Sequence, residues 1–167
     1  MQNDLLFNFS VNKQNNTISI QREFNASPEL VWQAWTSAEM LDQWWGPNPW
    51  KANTKTMDFR DGGYWLYAMI SPNGEKHWSK ANYISISPGT SFTAKDGFCD
   101  ENGIMSTEFP QNLWYTEFIA KQNTVLAEIL LTFDTPADLE MTLKMGYQEG
   151  FTQCLDQLDE LLDKLSQ

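Results

Sequence analysis

GYQEGFTQCLDQLDELLDKL, residues 146–165, decides the fold. Phe151, Leu155, Leu158, Leu162 and Leu165 recur at spacings of four, three, four and three, which draws one apolar stripe along a helix. Asp156, Asp159, Glu160 and Asp163 take the opposite side. Such a helix gets most of its stability from burying its apolar face, so the rest of the chain must supply a matching surface. A shorter helical piece precedes it. Thr135 is its cap, Pro136 fills the first helical position, Asp138 follows as an acidic variant of the capping box, and Gly146 marks the joint.

Upstream the pattern has period two. Leu5, Phe7, Phe9 and Val11 alternate with Leu6, Asn8, Ser10 and Asn12, and TISIQREF (residues 17–24) alternates again after the polar turn KQNN, which predicts a hairpin. ASPELVWQAWTSAEMLDQWW then changes period. Ser27 is an N-cap, Pro28 opens the helix, Leu30, Val31, Ala34 and Trp35 form its stripe, and a second helical piece runs from Ala38 to Trp45. After Gly46-Pro47 come ANTKTMDF, YWLYAMI and KHWSKANYISIS, joined by RDGG and SPNGE, and then SFTAK, LWYTEFIAK and TVLAEILLTF. DGFCDENGIMSTEFPQN between them reads as a loop or irregular strand. The expected fold class is α+β: a twisted antiparallel sheet whose concave face receives the long final helix. Helix and curved sheet meet closely along only part of such an interface, so a cavity is expected between them. The reading is one domain over 1–167, with residues 1–16 an N-terminal extension adding an edge strand.

Composition narrows the partners. Hydrophobic residues make up 41%, enough for a core without metal or disulfide support. The formal charge of −11 repels phosphate backbones and anionic headgroups, so neither nucleic acid nor membrane is an expected partner. No run approaches the roughly 20 apolar residues of a membrane span, and the first residues lack the basic start of a signal peptide, so a cytoplasmic location is expected. Cys99 and Cys154 stand far apart in sequence and read as free thiols. His77 is the single histidine, which argues against a histidine-rich metal site, and no nucleotide-binding or nucleophile-elbow motif occurs, so no cofactor is expected. His77 reads as an exposed strand residue, with a general acid/base facing the cavity as the alternative. Asp58 and Arg60 read as an exposed ion pair beside a turn.

The aromatic residues carry the rest. LDQWWGPNPW, residues 41–50, packs three tryptophans against a rigid turn, as a core corner or a cavity rim does. In the strands, Trp65, Tyr67 and Met69 share one face, and Met57 and Phe59 share one face. Trp78, Phe92 and Phe118 are further candidates for the inner side.

REFNASPELVWQAWTSAEMLDQWWGP, MDFRDGGYWLYAMISPNGEKHW, YISISP and MGYQEGFTQCLDQLDELL together resemble the activator of heat-shock protein 90 ATPase homologue-like family. That family belongs to the START-like, helix-grip superfamily also called SRPBCC. Pro28, Val31, Trp32, Ala34 and Trp35 carry the resemblance first, then Trp44, Trp45, Gly46 and Pro47. Asp58, Arg60, Gly62, Gly63, Trp65 and Met69 follow, and Met145, Gly146, Gly150, Leu155 and Leu158 close it. The resemblance implies a seven-stranded or similar sheet gripping the last helix around a deep apolar pocket. The chain departs from common members in its N-terminal extension, and in Tyr64 and Leu66, where outward charges are usual; this points to a covered or dimerising outer face. Members of the superfamily carry lipids, cyclise polyketides, sequester toxins or activate a chaperone.

The expected function is therefore a non-enzymatic binder of a small hydrophobic or aromatic molecule. Its site is drawn from Trp45 at the corner, from Met57, Phe59, Trp65, Tyr67, Met69, His77, Trp78, Phe92 and Phe118 in the sheet, and from Phe151, Leu155 and Leu158 in the helix. Tyr67, Trp78 or His77 would orient the ligand. The alternatives are a polyketide cyclase or dehydratase-like enzyme using His77, Asp58 or Tyr67, and a co-chaperone-like activator of a heat-shock 90 type ATPase. A homodimer and a chaperone are the possible protein partners.

Overall fold

The computed structural model describes residues 5–166; Met1–Asp4 of the expected extension lie outside them. The period-two segments form eight strands: β1 (Phe7–Asn12), β2 (Thr17–Phe24), β3 (Lys51–Asp58), β4 (Tyr64–Ile70), β5 (Lys76–Ser87), β6 (Ser91–Phe98), β7 (Asn112–Ala120) and β8 (Val125–Thr132). They make one antiparallel sheet in the order β1-β2-β8-β7-β6-β5-β4-β3, one strand more than the seven the resemblance implied. The added strand is β1, at the edge beside β2. Helices α1 (Pro28–Thr36) and α2 (Ala38–Trp44) carry the chain from β2 to β3 at the far edge, and α3 (Pro136–Lys144) leads into α4 (Tyr147–Leu165). The architecture is α+β helix-grip.

The helix starts follow the cap chemistry. Ser27 Oγ accepts from the Leu30 amide at 3.2 Å, and Thr135 Oγ1 from the Asp138 amide at 3.1 Å. The aromatic corner is fixed by Gly46. Its φ is +123°, and a Cβ there would stand 2.9 Å from Met69 Sδ and 3.0 Å from the Ala52 nitrogen, so only glycine lets the chain turn between β3 and α4. The Gly46 amide donates to Cys154 Sγ at 3.3 Å. Gln157 latches the same corner to α4, donating to the carbonyls of Trp44 (3.0 Å) and Gly46 (2.9 Å) while accepting from the Asn48 amide (2.8 Å).

The stripe of α4 is buried as read, with Leu155 and Leu158 at 0% and Leu162 at 1% exposure, but it ends there: Leu165 is 49% exposed. These leucines share one core with Ile18, Ile20, Val31, Trp35 and Leu131. Each buried leucine contributes about 2 kcal/mol. Two of the acids expected on the solvent side have a different task. Arg22, on the inner face of β2 between Ile20 and Phe24, is 8% exposed and donates to Asp156 at 2.9 Å and Asp159 at 3.5 Å. Burial raises the pKa of Asp159, the effect that outweighs the neighbouring guanidinium.

Leu66 on the convex side is only 4% exposed, and the cover is intramolecular. The segment after β6 lies across this side, where Lys55 Nζ donates to the Glu101 carbonyl (2.9 Å) and Lys80 Nζ to the Gly103 carbonyl (3.3 Å). Lys80 also stands 4.6 Å over the Tyr64 ring.

Candidate functional site

Beneath the first turns of α4 the sheet and the helix part, leaving a cavity of about 270 Å³. Tyr67 and Met69 of β4, Ser79 of β5, Asp96 of β6 and Trp114 of β7 form one wall; Tyr147, Phe151 and Cys154 of α4 form the opposite one, and Trp45 enters from the corner. Met145, half exposed, stands at the outer rim with Pro47 and Gly150. The aromatic rings brace one another. Trp45 lies 5.8 Å from Trp114 and 5.7 Å from Phe151, Trp114 meets Phe151 edge-on at 5.5 Å, and Tyr147 stacks on Phe151 at 5.5 Å. Behind them Trp65 stacks on Tyr67 at 4.0 Å. Trp45 Nε1 donates to the Tyr67 hydroxyl at 3.0 Å, and Trp114 Nε1 to Thr116 Oγ1 at 2.6 Å, so both indoles are held in place.

The polar atoms here are few and underused. The Tyr147 hydroxyl and Asn112 Oδ1, both at the cavity, are buried without a hydrogen-bond partner from the protein itself. Unpaired buried polar groups are costly, so native proteins rarely keep them away from a ligand, water or strain site. Asp96 is the one charged residue among the lining side chains. It sits on the inner face of β6 after Phe92 and Ala94, and it pairs directly with Asn112 in the β6–β7 register. Burial pushes its carboxyl up to about 7, opposed by the Gly97 amide. It retains some accessible area, which belongs to the cavity it borders. Burial also raises the Tyr67 and Tyr147 hydroxyls well above their ordinary range, with the Asp96 charge adding to both, and pushes the Cys154 thiol up to about 11.

Of the residues chosen from sequence, Trp45, Tyr67, Met69 and Phe151 line this cavity. Trp65 and Phe92 border an adjoining void of about 30 Å³ reached past Trp45. The others lie elsewhere. Leu155 and Leu158 are sealed in the core farther along α4. Phe118 and Phe59 pack edge-on against Trp32, at 5.7 and 5.9 Å, with Met57 half-buried against the same core. Trp78 faces the convex side, because it pairs with Ala68 rather than Tyr67; Lys55 Nζ lies 5.6 Å from its ring. His77 is exposed, 2.7 Å from the Glu75 carboxylate and edge-on to Trp50. Asp58 and Arg60 form the exposed ion pair expected of them, at 2.8 Å. The groups named for acid–base chemistry, His77, Asp58 and Tyr67, are therefore not gathered at one place. Among the described residues no cluster of His, Cys, Asp or Glu is placed to hold a metal, and no helix is long and apolar enough to cross a membrane.

Asp96, Asn112 and Tyr147 escaped sequence reading. The signal for Asp96 was present: Phe92, Ala94 and Asp96 continue one alternation, and an acid at an inward position of a strand is unusual.

The family model for activator of Hsp90 ATPase homolog 1-like protein matches residues 25–163. The chain belongs to that family. The match starts within the turn before α1 and stops near the end of α4, so it takes in both walls of the cavity. Among solved structures, protein Ms6760 from Mycobacterium smegmatis is 28% identical, with 95% of this chain and 96% of that one covered and a TM-score of 0.86. A protein from Arthrobacter aurescens solved in solution is 27% identical over 94% of this chain and 91% of that one, with a TM-score of 0.88. The AHSA1 protein from Silicibacter pomeroyi shares the fold at 21% identity and a TM-score of 0.68, over 88% of this chain and 97% of that one. A search of curated proteins returned no match.

Proposed function

We propose that this family member binds a small hydrophobic or aromatic molecule in the cavity between β4–β7 and the first half of α4. The observation that carries the reading is the lining itself: aromatic walls braced ring to ring around about 270 Å³, with buried polar atoms left unpaired. A cavity of about 150 Å³ accepts benzene. The space here accordingly suits one or two fused rings with a short side chain. Affinity would come from apolar burial, at about 25 cal/mol per Å², and orientation from Asp96, Asn112 and Tyr147. Tyr67 supports the wall through Trp45. The test is displacement of a fluorescent hydrophobic probe together with native mass spectrometry of the purified protein. A saturable probe site that Gly150→Leu weakens at least tenfold is expected, since the leucine would enter the rim beside Pro47. No saturable site and no bound species in the wild-type protein would overturn the reading.

A further inference from the structure

Resting on that reading, we infer that the cavity selects a cationic aromatic amine, its ammonium held by Asp96 and Asn112 and its ring held among Trp45, Trp114 and Phe151. Three observations converge on this chemistry. The first is charge. Asp96 is the only charged side chain in the lining, and neither lysine, arginine nor histidine lies there to answer it. Once Asp96 is ionised, a ligand carboxylate entering this site faces an uncompensated like charge in a poorly hydrated space. A ligand ammonium would supply the missing partner.

The second is the inventory of hydrogen-bonding atoms. An ammonium offers donors only, and Asn112 Oδ1 is a buried acceptor that no donor of the protein reaches. Asn112 Oδ1 and the Tyr147 hydroxyl oxygen are buried and unpartnered. Asn112 stands directly opposite Asp96 across the β6–β7 pair, where side chains on one face approach within about 5 Å. Ser79, also in the lining, is on the neighbouring strand beyond Asp96's own partner Ala81. A primary ammonium could therefore satisfy a carboxylate and an amide oxygen together, with the tyrosine oxygen completing the shell.

The third is the wall. Trp45, Trp114 and Phe151 present aromatic surface that suits both a ligand ring and a cation, since ring faces carry negative potential. The formal charge of −11 on the whole chain favours approach of a cation over an anion.

The probes are tryptamine, its neutral alcohol counterpart indole-3-ethanol, and indole-3-propionate, titrated against the full chain by calorimetry. The expected result is that tryptamine binds at least tenfold more tightly than the alcohol, and the alcohol more tightly than the carboxylate. Asp96→Asn should erase the preference for the amine, read as the ratio of amine to alcohol affinity within the same variant falling to about one. Should the alcohol equal or exceed the amine in the wild-type protein, charge selection is overturned while the cavity reading stands. Should an amine preference persist unchanged in Asp96→Asn with the fold intact, Asp96 is not its origin and the assignment is overturned. Should none of the three bind, and the hydrophobic probe also fail, the cavity reading itself falls.

Discussion

One helix covers one sheet, yet its two halves do opposite things. From Leu155 onward α4 places Leu155, Leu158 and Leu162 into a core that leaves them at most 1% exposed, whereas its first turns place Tyr147, Phe151 and Cys154 around open space. Leucines are compact and adapt their packing to the facing Ile and Val side chains. Around the cavity the large rings brace one another across the gap rather than filling it, and Asp96 faces the space from β6. Close packing is thus concentrated at one end of the interface and open space at the other. The latch of Gln157 on the corner carbonyls sits within the closed part and ties the helix to the aromatic corner.

The largest effect expected from breaking this contrast is at the closed end. Leu158→Ala should lower unfolding free energy by about 3 kcal/mol while changing the affinity for a hydrophobic probe less than twofold. Denaturant melts and probe titrations on one preparation test both halves of that statement; comparable damage to binding would erase the division.

Asp96→Asn should act in the other direction, through pH. The folded-state carboxyl titrates near 7 against an ordinary 3.8, so the folded protein holds a proton that the unfolded chain has lost over this range. Stability from this group is therefore lost as pH rises from 3.8 towards 7, by up to a few kcal/mol. Relative to wild type, Asp96→Asn should be more stable at pH 7.5 and lose that advantage near pH 4. A constant difference across the range would contradict the assignment. In the wild-type protein tryptamine affinity should also rise between pH 6 and 8. The facing groups are Tyr67 from β4, Ser79 from β5, Asn112 and Trp114 from β7, and Tyr147 and Cys154 from α4. Among them the tyrosine hydroxyls are pushed up, and the thiol titrates only near 11. An alkyl ammonium, with a pKa of about 10, stays charged throughout.

Two smaller effects sharpen the picture. Tyr147→Phe removes an unpartnered buried hydroxyl, so thermal melts should show a gain of about 1 kcal/mol in the free protein. Gly150→Leu should gain about 0.5–1 kcal/mol from helix propensity while blocking the rim, a variant that folds better and binds worse.

The closed half was legible in the sequence because it is local: the four-three spacing of Phe151, Leu155, Leu158 and Leu162 reports its own buried face. The open half depends on register. Period two groups Trp65 with Tyr67 and Met69, but nothing in KHWSKANYISIS says that Ser79 rather than Trp78 lies opposite Tyr67. A slip of one residue exchanges the faces, so the sequence alone offers Trp78 for the inner side while the β4–β5 register turns it outward. Asp96 was missed for a related reason. SFTAK stops one residue short of Asp96, and DGFCDENGIMSTEFPQN after it reads as a loop or irregular strand until β7 is seen to pair with Asp96. Arg22 needed the tertiary contact as well, since a charge on the inner face of β2 makes sense only once Asp156 and Asp159 arrive from 134 and 137 residues away.

The most direct measurement follows the eight indole N–H signals in a nitrogen-edited proton NMR spectrum during titration with indole-3-ethanol. Binding at the open end predicts saturable shifts of the Trp45 and Trp114 indoles, with Trp44 and Trp78 unmoved. Absence of saturable shifts, or shifts led by Trp44 and Trp78, would contradict the account.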